Sequence, residues 1–370
     1  MEYRHYIIIA VAIFALQVFI YITARTIFWL WSDKLSFKAK RATGIGLYLL
    51  FNGIIALTLL RIYPPLFRIS AGLLVLLLFI SFISLSCLIL FRLGKVWFNP
   101  HTLNLSLKIA YPFALISLLS LSIYNAYTPK IIHYNITLNK PLKHPLRIGM
   151  VSDLHLGILF GANQLDKLAN IMQQQQVDII LMPGDIMDDN VDAYLAQNMQ
   201  PHLAKLTAPL GVYATLGNHD FFGHDQAIYR ELTQAGIKVL RDESLNVQNQ
   251  FILIGRNDDL VRDRPSTADL LQDVNTHIPI ILLDHRPTEI TQHAQLPIDI
   301  QLSGHTHKGQ IFPANLITKM MYVLDYGYQQ INQGHFFVSS GYGFWGIPMR
   351  LGSQSEVLII DVKGKNSAEN

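Results

Sequence analysis

The chain has 370 residues, 51 % of them hydrophobic and only 15 % charged, with a mean hydropathy of +0.28. Residues 1–128 hold 11 Lys and Arg against 2 acids, whereas the remainder holds 18 against 24. A single soluble domain is excluded, because the first third is too apolar and too poor in acids to sit in water. Disorder and a nucleic-acid coat are excluded too, since the positive charge flanks apolar runs, and no nucleic-acid partner is indicated.

Four uncharged stretches, 6–24, 42–60, 69–91 and 109–127, are each long enough to cross a bilayer at 1.5 Å rise per residue. The first ends Ile22-Thr23-Ala24-Arg25, with no small-residue cleavage pattern, so it reads as an anchor and not a cleaved signal. Pro112 is expected to kink the fourth. No ionisable group lies inside the spans, which disfavours a transporter. Residues 1–127 are therefore expected to be a four-span membrane anchor; a lipid groove between its helices stays open. Cys87, the one cysteine, lies in the third span, so neither a disulfide framework nor a thiolate metal site is expected.

Orientation follows Lys and Arg in the short loops. One side carries Arg25, Lys34, Lys38, Lys40, Arg41, Arg92, Lys95 and Lys108; the other carries Arg4, Arg61, Arg68, Lys130 and Lys140. The richer side is expected to be cytoplasmic, which puts the C-terminal domain outside the cytoplasm.

Pro129, Pro141 and Pro145 make 128–147 an expected tether. Beyond it, short apolar runs at 148–152, 179–182, 212–216, 251–254, 278–283 and 298–302 alternate with helical patterns at 164–175, 193–206, 225–235 and 287–292. This alternation predicts a layered α/β domain over 148–362, a β-sheet core with flanking helices and mostly parallel strands. Runs at 336–339 and 356–362 are expected to add strands, and 363–370 a polar tail.

Chemistry-bearing residues sit just past the ends of these runs. They are Asp153-x-His155, Gly184-Asp185, Gly217-Asn218-His219-Asp220, Asp284-His285 and Gly304-His305-x-His307. Functional loops gather at the carboxyl ends of parallel strands, so the five segments are expected to meet at one rim. Gly-Asn-His and Gly-His-x-His are each expected by chance only about 0.04 times in this composition. His285 alone would more often be a satisfied core residue. The ordered set is the signal.

That order resembles the calcineurin-like metallophosphoesterase superfamily over about residues 146–362. It is most similar to the bacterial membrane-linked subgroup, through Ser152-Asp153-Leu154-His155-Leu156-Gly157, Gly304-His305-Thr306-His307, Leu351-Gly352 and Glu356. Lys308 departs from the subgroup, where glycine is expected, which bears on substrate preference. The resemblance implies one divalent ion on Asp153, His155, Asp185 and His307, and a second on Asp185, Asn218, His285 and His305. It also implies that His219 protonates the leaving group. The chemistry agrees: a carboxylate with two oxygens can bridge ions about 3.5–4 Å apart. Imidazole and oxygen donors suit Mn, Fe or Zn alike. For Asp220 two readings stay open: it orients His219, or it caps a helix or loop.

Smaller features have bland readings beside sharper ones. Asp188, Asp189 and Asp192 read as a solvated helix start, and His224 as an exposed loop residue. Arg256, Arg262 and Arg264 read as surface charges, or as a phosphate grip. Phe312, Met320, Met321, Tyr322, Tyr326 and Tyr328 read as packing of the last strands, or as a lip that meets lipid. The expected protein is a membrane-anchored binuclear phosphoesterase acting on a phosphate mono- or diester, with a lipid-linked substrate favoured by tethering. The alternative is a non-catalytic receptor or metal-sensing module that keeps the fold.

Overall fold

A computed structural model describes residues 2–31, 35–60, 63 and 66–365, with side chains from residue 13. Lys34 and Arg61, counted above for orientation, and 366–370 of the expected tail lie outside the described residues. The chain divides into two compact units, Met1–Leu121 and Ser122–Asn370.

The first unit contains α1 (Glu2–Leu30), α2 (Phe37–Leu59), α3 (Leu66–Gly94) and most of α4 (Pro100–Tyr127). All four are long and apolar enough to cross a membrane, as expected. The polar side chains of these helices find each other. Gln17 and Asn52 exchange amide bonds at 2.9 and 3.2 Å, Thr26 meets Ser84 at 2.6 Å, and Trp29 donates to Asn104 at 2.7 Å. In hydrocarbon an unpaired polar group is costly, so interhelical pairs of this kind hold helices in register.

The second unit begins inside α4, where Ala126 is fully buried. Its elements are β1 (Lys130–Leu138), β2 (Leu146–Met150), α5 (Ala162–Gln174), β3 (Ile179–Pro183), α6 (Asp192–Ala196), α7 (Gln200–Leu203), β4 (Val212–Thr215), α8 (Asp225–Gln234), β5 (Lys238–Val239), β6 (Glu243–Val247) and β7 (Phe251–Gly255). They continue with α9 (Thr267–Leu270), β8 (Ile280–Leu283), α10 (Ile290–His293), β9 (Ile300–Ser303), α11 (Ala314–Met321), β10 (Gly327–Ile331), β11 (Gly334–Val338) and β12 (Glu356–Gly364). The strands form two six-stranded sheets, ordered β1-β12-β2-β3-β4-β5 and β10-β11-β9-β8-β7-β6. In the first sheet β2, β3, β4 and β5 run parallel, and so do β7, β8, β9 and β11 in the second.

Period-two alternation divides each strand between two cores. Ile148, Met150, Leu181, Leu283, Leu302 and Leu358 point into the layer between the sheets. Ile180, Met182 and Ile359 point outward, where α5 and α8 cover them with Leu165, Leu168, Ile228 and Leu232. On the outer face of the second sheet, Leu271 packs in one cluster with Ile252, Ile254, Ile280 and Leu282.

Three expectations are corrected here. The segment 128–147 is not a free tether: β1 pairs in parallel with β12 over nine residues. Its alternating Ile132, Tyr134, Ile136 and Leu138 pack on the inter-sheet core, and the prolines bound the strand instead of breaking it. The tail likewise yields Lys363 and Gly364 to β12. The helix expected over 193–206 divides into α6 and α7, because Asn198 adopts φ 47° and Pro201 starts a new turn.

Candidate metal centre

The parallel strands end on one rim, and the expected residues follow them. β2 leads to Asp153 and His155, β3 to Asp185, β4 to Asn218, β8 to His285, and β9 to His305 and His307. Asp153, His155 and His307 bring ligand atoms within 4.8 Å of one another, and Asp185, His285 and His305 do the same. A further group of His155, Asp185 and His219 joins the two, sharing His155 with the first and Asp185 with the second. His305 Nδ1 lies 2.8 Å from Asn218 Oδ1, which brings the seventh residue in.

Five of the seven, Asp153, His155, Asp185, His305 and His307, are non-glycine residues at φ between 45° and 70°. The left-handed region costs an L-residue about 1–2 kcal/mol, and such strain gathers where side chains must be aimed. Two glycines leave the room this requires. A Cβ on Gly217 would stand 2.2 Å from Asp185 Oδ1, and one on Gly304 would stand 2.1 Å from Asp153 Oδ2.

The donor atoms suit divalent cations. His285 Nδ1 donates to the Pro183 carbonyl at 2.8 Å. Its Nε2 lone pair then faces Asp185 Oδ2 at 3.1 Å and has no hydrogen-bond partner although it is buried. Only a proton or a metal ion makes that approach favourable. Without an ion a proton fills the role: burial opposes charge on His285, but the Asp185 and Asp153 carboxylates push it up to about 10. His155 Nε2 and His307 Nε2 stand 3.1 Å apart, with His307 Nε2 3.5 Å from Asp153 Oδ1. Burial pulls His155 and His305 down to about 3 and His307 well below its usual value, so these rings are neutral donors. Burial alone would raise Asp185, but His285 and His155 hold it well below the usual carboxylate range. Burial pushes Asp153 up to about 6.

His219 stands beside the centre, with its ring 4.8 Å from that of His155 and its backbone N–H donating to Asp185 Oδ1 at 2.8 Å. Asp220 does not orient it. That carboxylate is fully buried and accepts from the backbone N–H groups of Gly217 (2.9 Å), Met187 (3.0 Å) and Ile186 (3.2 Å). It braces the loops that carry Asp185 and Asn218; burial pushes it up to about 7. The partner of His219 is Asp189, whose Oδ1 lies 2.5 Å from Nδ1. Burial opposes charge on His219, but this bond and the surrounding carboxylates raise its pKa. Reading Asp189 as a solvated helix start missed this. Its spacing from Asp185, Gly-Asp-x-x-Asp-Asp, was the available signal.

Other expectations divide. His224 and Arg262 are exposed, as the bland readings had it. Arg256 is neither a surface charge nor a phosphate grip: it is 2 % exposed and paired to Asp284 and Glu289. Arg350, unmarked in the sequence, is completely buried, with Nη2 3.1 Å from His307 Nδ1. Tyr326 and Tyr328 are tied to the last strands, bonding Glu356 at 3.0 Å and His335 at 2.8 Å. Phe312, Met320 and Met321 are exposed.

Comparison with known proteins agrees with this geometry. The sequence pattern of the calcineurin-like phosphoesterases matches residues 146–309. An uncharacterized metallophosphoesterase of Campylobacter jejuni is 32 % identical over 293 residues, 75 % of each chain. One from Aquifex aeolicus is 33 % identical over 252 residues, 65 % of this chain and 94 % of its own. A zebrafish transmembrane protein with metallophosphoesterase domain is 31 % identical over 256 residues, 64 % of this chain and 58 % of its own. Likeness of this extent makes the chain a member of the calcineurin-like metallophosphoesterase family.

Proposed function

We propose that the chain is a membrane-anchored hydrolase of phosphate mono- or diesters that works with two divalent ions, Mn, Fe or Zn. Asp153, His155, Asp185 and His307 would hold one, and Asp185, Asn218, His285 and His305 the other. The observation that carries the reading is the buried, unpartnered Nε2 of His285 facing Asp185 amid three further imidazoles. Bound cations neutralise phosphoryl oxygens and lower the pKa of a coordinated water toward about 7.

The chain's own residues supply the rest. Asp185 keeps Oδ1 on the His219 N–H and turns Oδ2 to His285 and His155, so one carboxylate serves both halves. His219, with Nδ1 tied to Asp189, has Nε2 left to give a proton to the departing alkoxide oxygen. The Asp189 carboxylate fixes the ring and favours its charged form. Asp220 keeps the two loops in place and takes no part in the proton transfer.

The four apolar helices support a multi-pass membrane location, and the Lys and Arg count of their loops favours an extracytoplasmic catalytic domain. The substrate we favour is phosphate carried on a membrane lipid or lipid-linked sugar. The test is turnover of p-nitrophenyl phosphate and bis-p-nitrophenyl phosphate by the full chain in detergent with Mn²⁺. Activity that a chelator abolishes and metal restores is expected. Inertness toward both esters and a wider panel, with metal bound, would favour the non-catalytic alternative.

A further inference from the structure

The helix α11 is built inside out. Leu316 and Met320, and Ile317 and Met321, repeat at four-residue spacing and form one face. They are 53, 87, 56 and 68 % exposed. Thr318 turns inward: its Oγ1 donates to Asp325 Oδ2 at 2.8 Å, and the Asp325 carbonyl accepts from Thr306 Oγ1 at 2.6 Å. Thr306 lies between His305 and His307, so the inner side of α11 is bonded to the loop that carries two expected ligands. A soluble domain has no reason to hold a helix this way round. Contiguous exposed apolar surface of this kind marks an interaction site.

The mouth of the metal centre has the same character. The His219 ring has Phe222 at 5.0 Å and Trp345 at 6.1 Å, and these two are 52 and 45 % exposed. Tyr322, directly after α11, lies edge-on to His305 at 6.4 Å. Apolar side chains therefore stand on both sides of a polar, cation-suited centre.

We propose that α11 is an interfacial helix that inserts its apolar face into the phospholipid surface of the membrane in which the chain is anchored. The catalytic mouth is thereby presented to phosphate esters with an apolar tail. Three observations select a lipid surface as the occupant. Four helices among the described residues are suited to a bilayer. Only Thr128 and Pro129 separate α4 from β1, so the domain starts at the end of a membrane helix. Lys319, exposed on α11, has the reach to place its ammonium among lipid phosphates while its stem lies along apolar surface. The inference deepens the proposed function and rests on its membrane reading.

The experiment uses the full chain in phosphatidylglycerol–phosphatidylcholine vesicles, with Cys87→Ala as background and a bimane label on Met320→Cys. The same label on Gln329→Cys, an exposed site on β10, is the control. Bromines on the acyl chains should quench the label at 320 and leave that at 329 bright, with depth profiles peaking about 5–10 Å below the headgroups. Aqueous iodide should do the reverse. Iodide quenching without bromine quenching at 320 overturns the proposal in favour of a solvated face. Shielding from both overturns it in favour of protein cover, by a second copy or by the chain's own helices. The readout needs no turnover, so it can fail while the hydrolase reading stands, or succeed while that reading fails.

Discussion

The first sheet brings every oxygen donor of the centre, Asp153, Asp185 and Asn218, together with His155; the second brings only imidazoles, His285, His305 and His307. Neither sheet alone offers a complete set for either of the two proposed ions. Gly304 of the second sheet lies against Asp153 of the first, and His285 reaches across to Asp185. The centre is therefore a property of the seam, and its integrity depends on the apolar layer between the sheets as much as on the ligands. A change in one sheet should be felt as a loss in the other.

The most damaging single change removes the residue both halves share. Asp185→Ala should bind neither metal and lose turnover by more than about a thousandfold, read by elemental analysis beside kinetics. His219→Ala should keep its metals but lose about 10²–10⁴ in rate, least for p-nitrophenolate and most for alkyl leaving groups. Unchanged turnover there would remove His219 from the chemistry. At the seam, Leu302→Ala leaves a cavity at a fully buried position and should destabilise the domain by about 2–5 kcal/mol in denaturant titrations.

Asp220, adjacent to His219 in sequence, and Asp189, bonded to its ring, should separate cleanly. Asp220→Asn cannot serve all three backbone N–H groups, so it should cost about 1–3 kcal/mol of stability. Asp189→Asn should leave stability unchanged and slow turnover about tenfold.

The smallest effect concerns Glu356. It joins the sheets by accepting from the Ser340 N–H at 2.7 Å and Ser339 Oγ at 3.2 Å. Burial holds its carboxyl above the usual range. The folded state thus favours its protonated form, and that contribution is present at low pH and lost as pH rises through the raised value. The Tm advantage of wild type over Glu356→Gln should therefore shrink as pH rises through and above the ordinary carboxylate range.

The convergence of the expected ligands was legible because each follows an apolar run, and strand exits in parallel sheets converge whatever lies between them. Asp189 was not, because sequence adjacency pointed to Asp220. The chain after Asn218 turns the Asp220 carboxylate back under the loop, while a left-handed residue at Asp189 (φ 70°) swings its side chain to the ring. The strand β1 was hidden by its flanking prolines, although Ile132, Tyr134, Ile136 and Leu138 alternate as a strand should. The orientation of α11 was hidden for a different reason. Its apolar spacing suits a helix, but spacing says only that one face differs from the other, not which one faces the protein.

The strand β12 lies between β1 and β2, although residues 151–355 of the chain intervene before it begins. A ribosome adding about 5–20 residues per second needs roughly 10–40 s to make that stretch. Through that interval β1 and β2 have no central partner, while the helices ahead of them are already available for membrane insertion. A cation-binding pocket of the kind proposed would then close only once β12 has been made, so any hydrolytic activity would wait on a strand that carries none of the expected ligands.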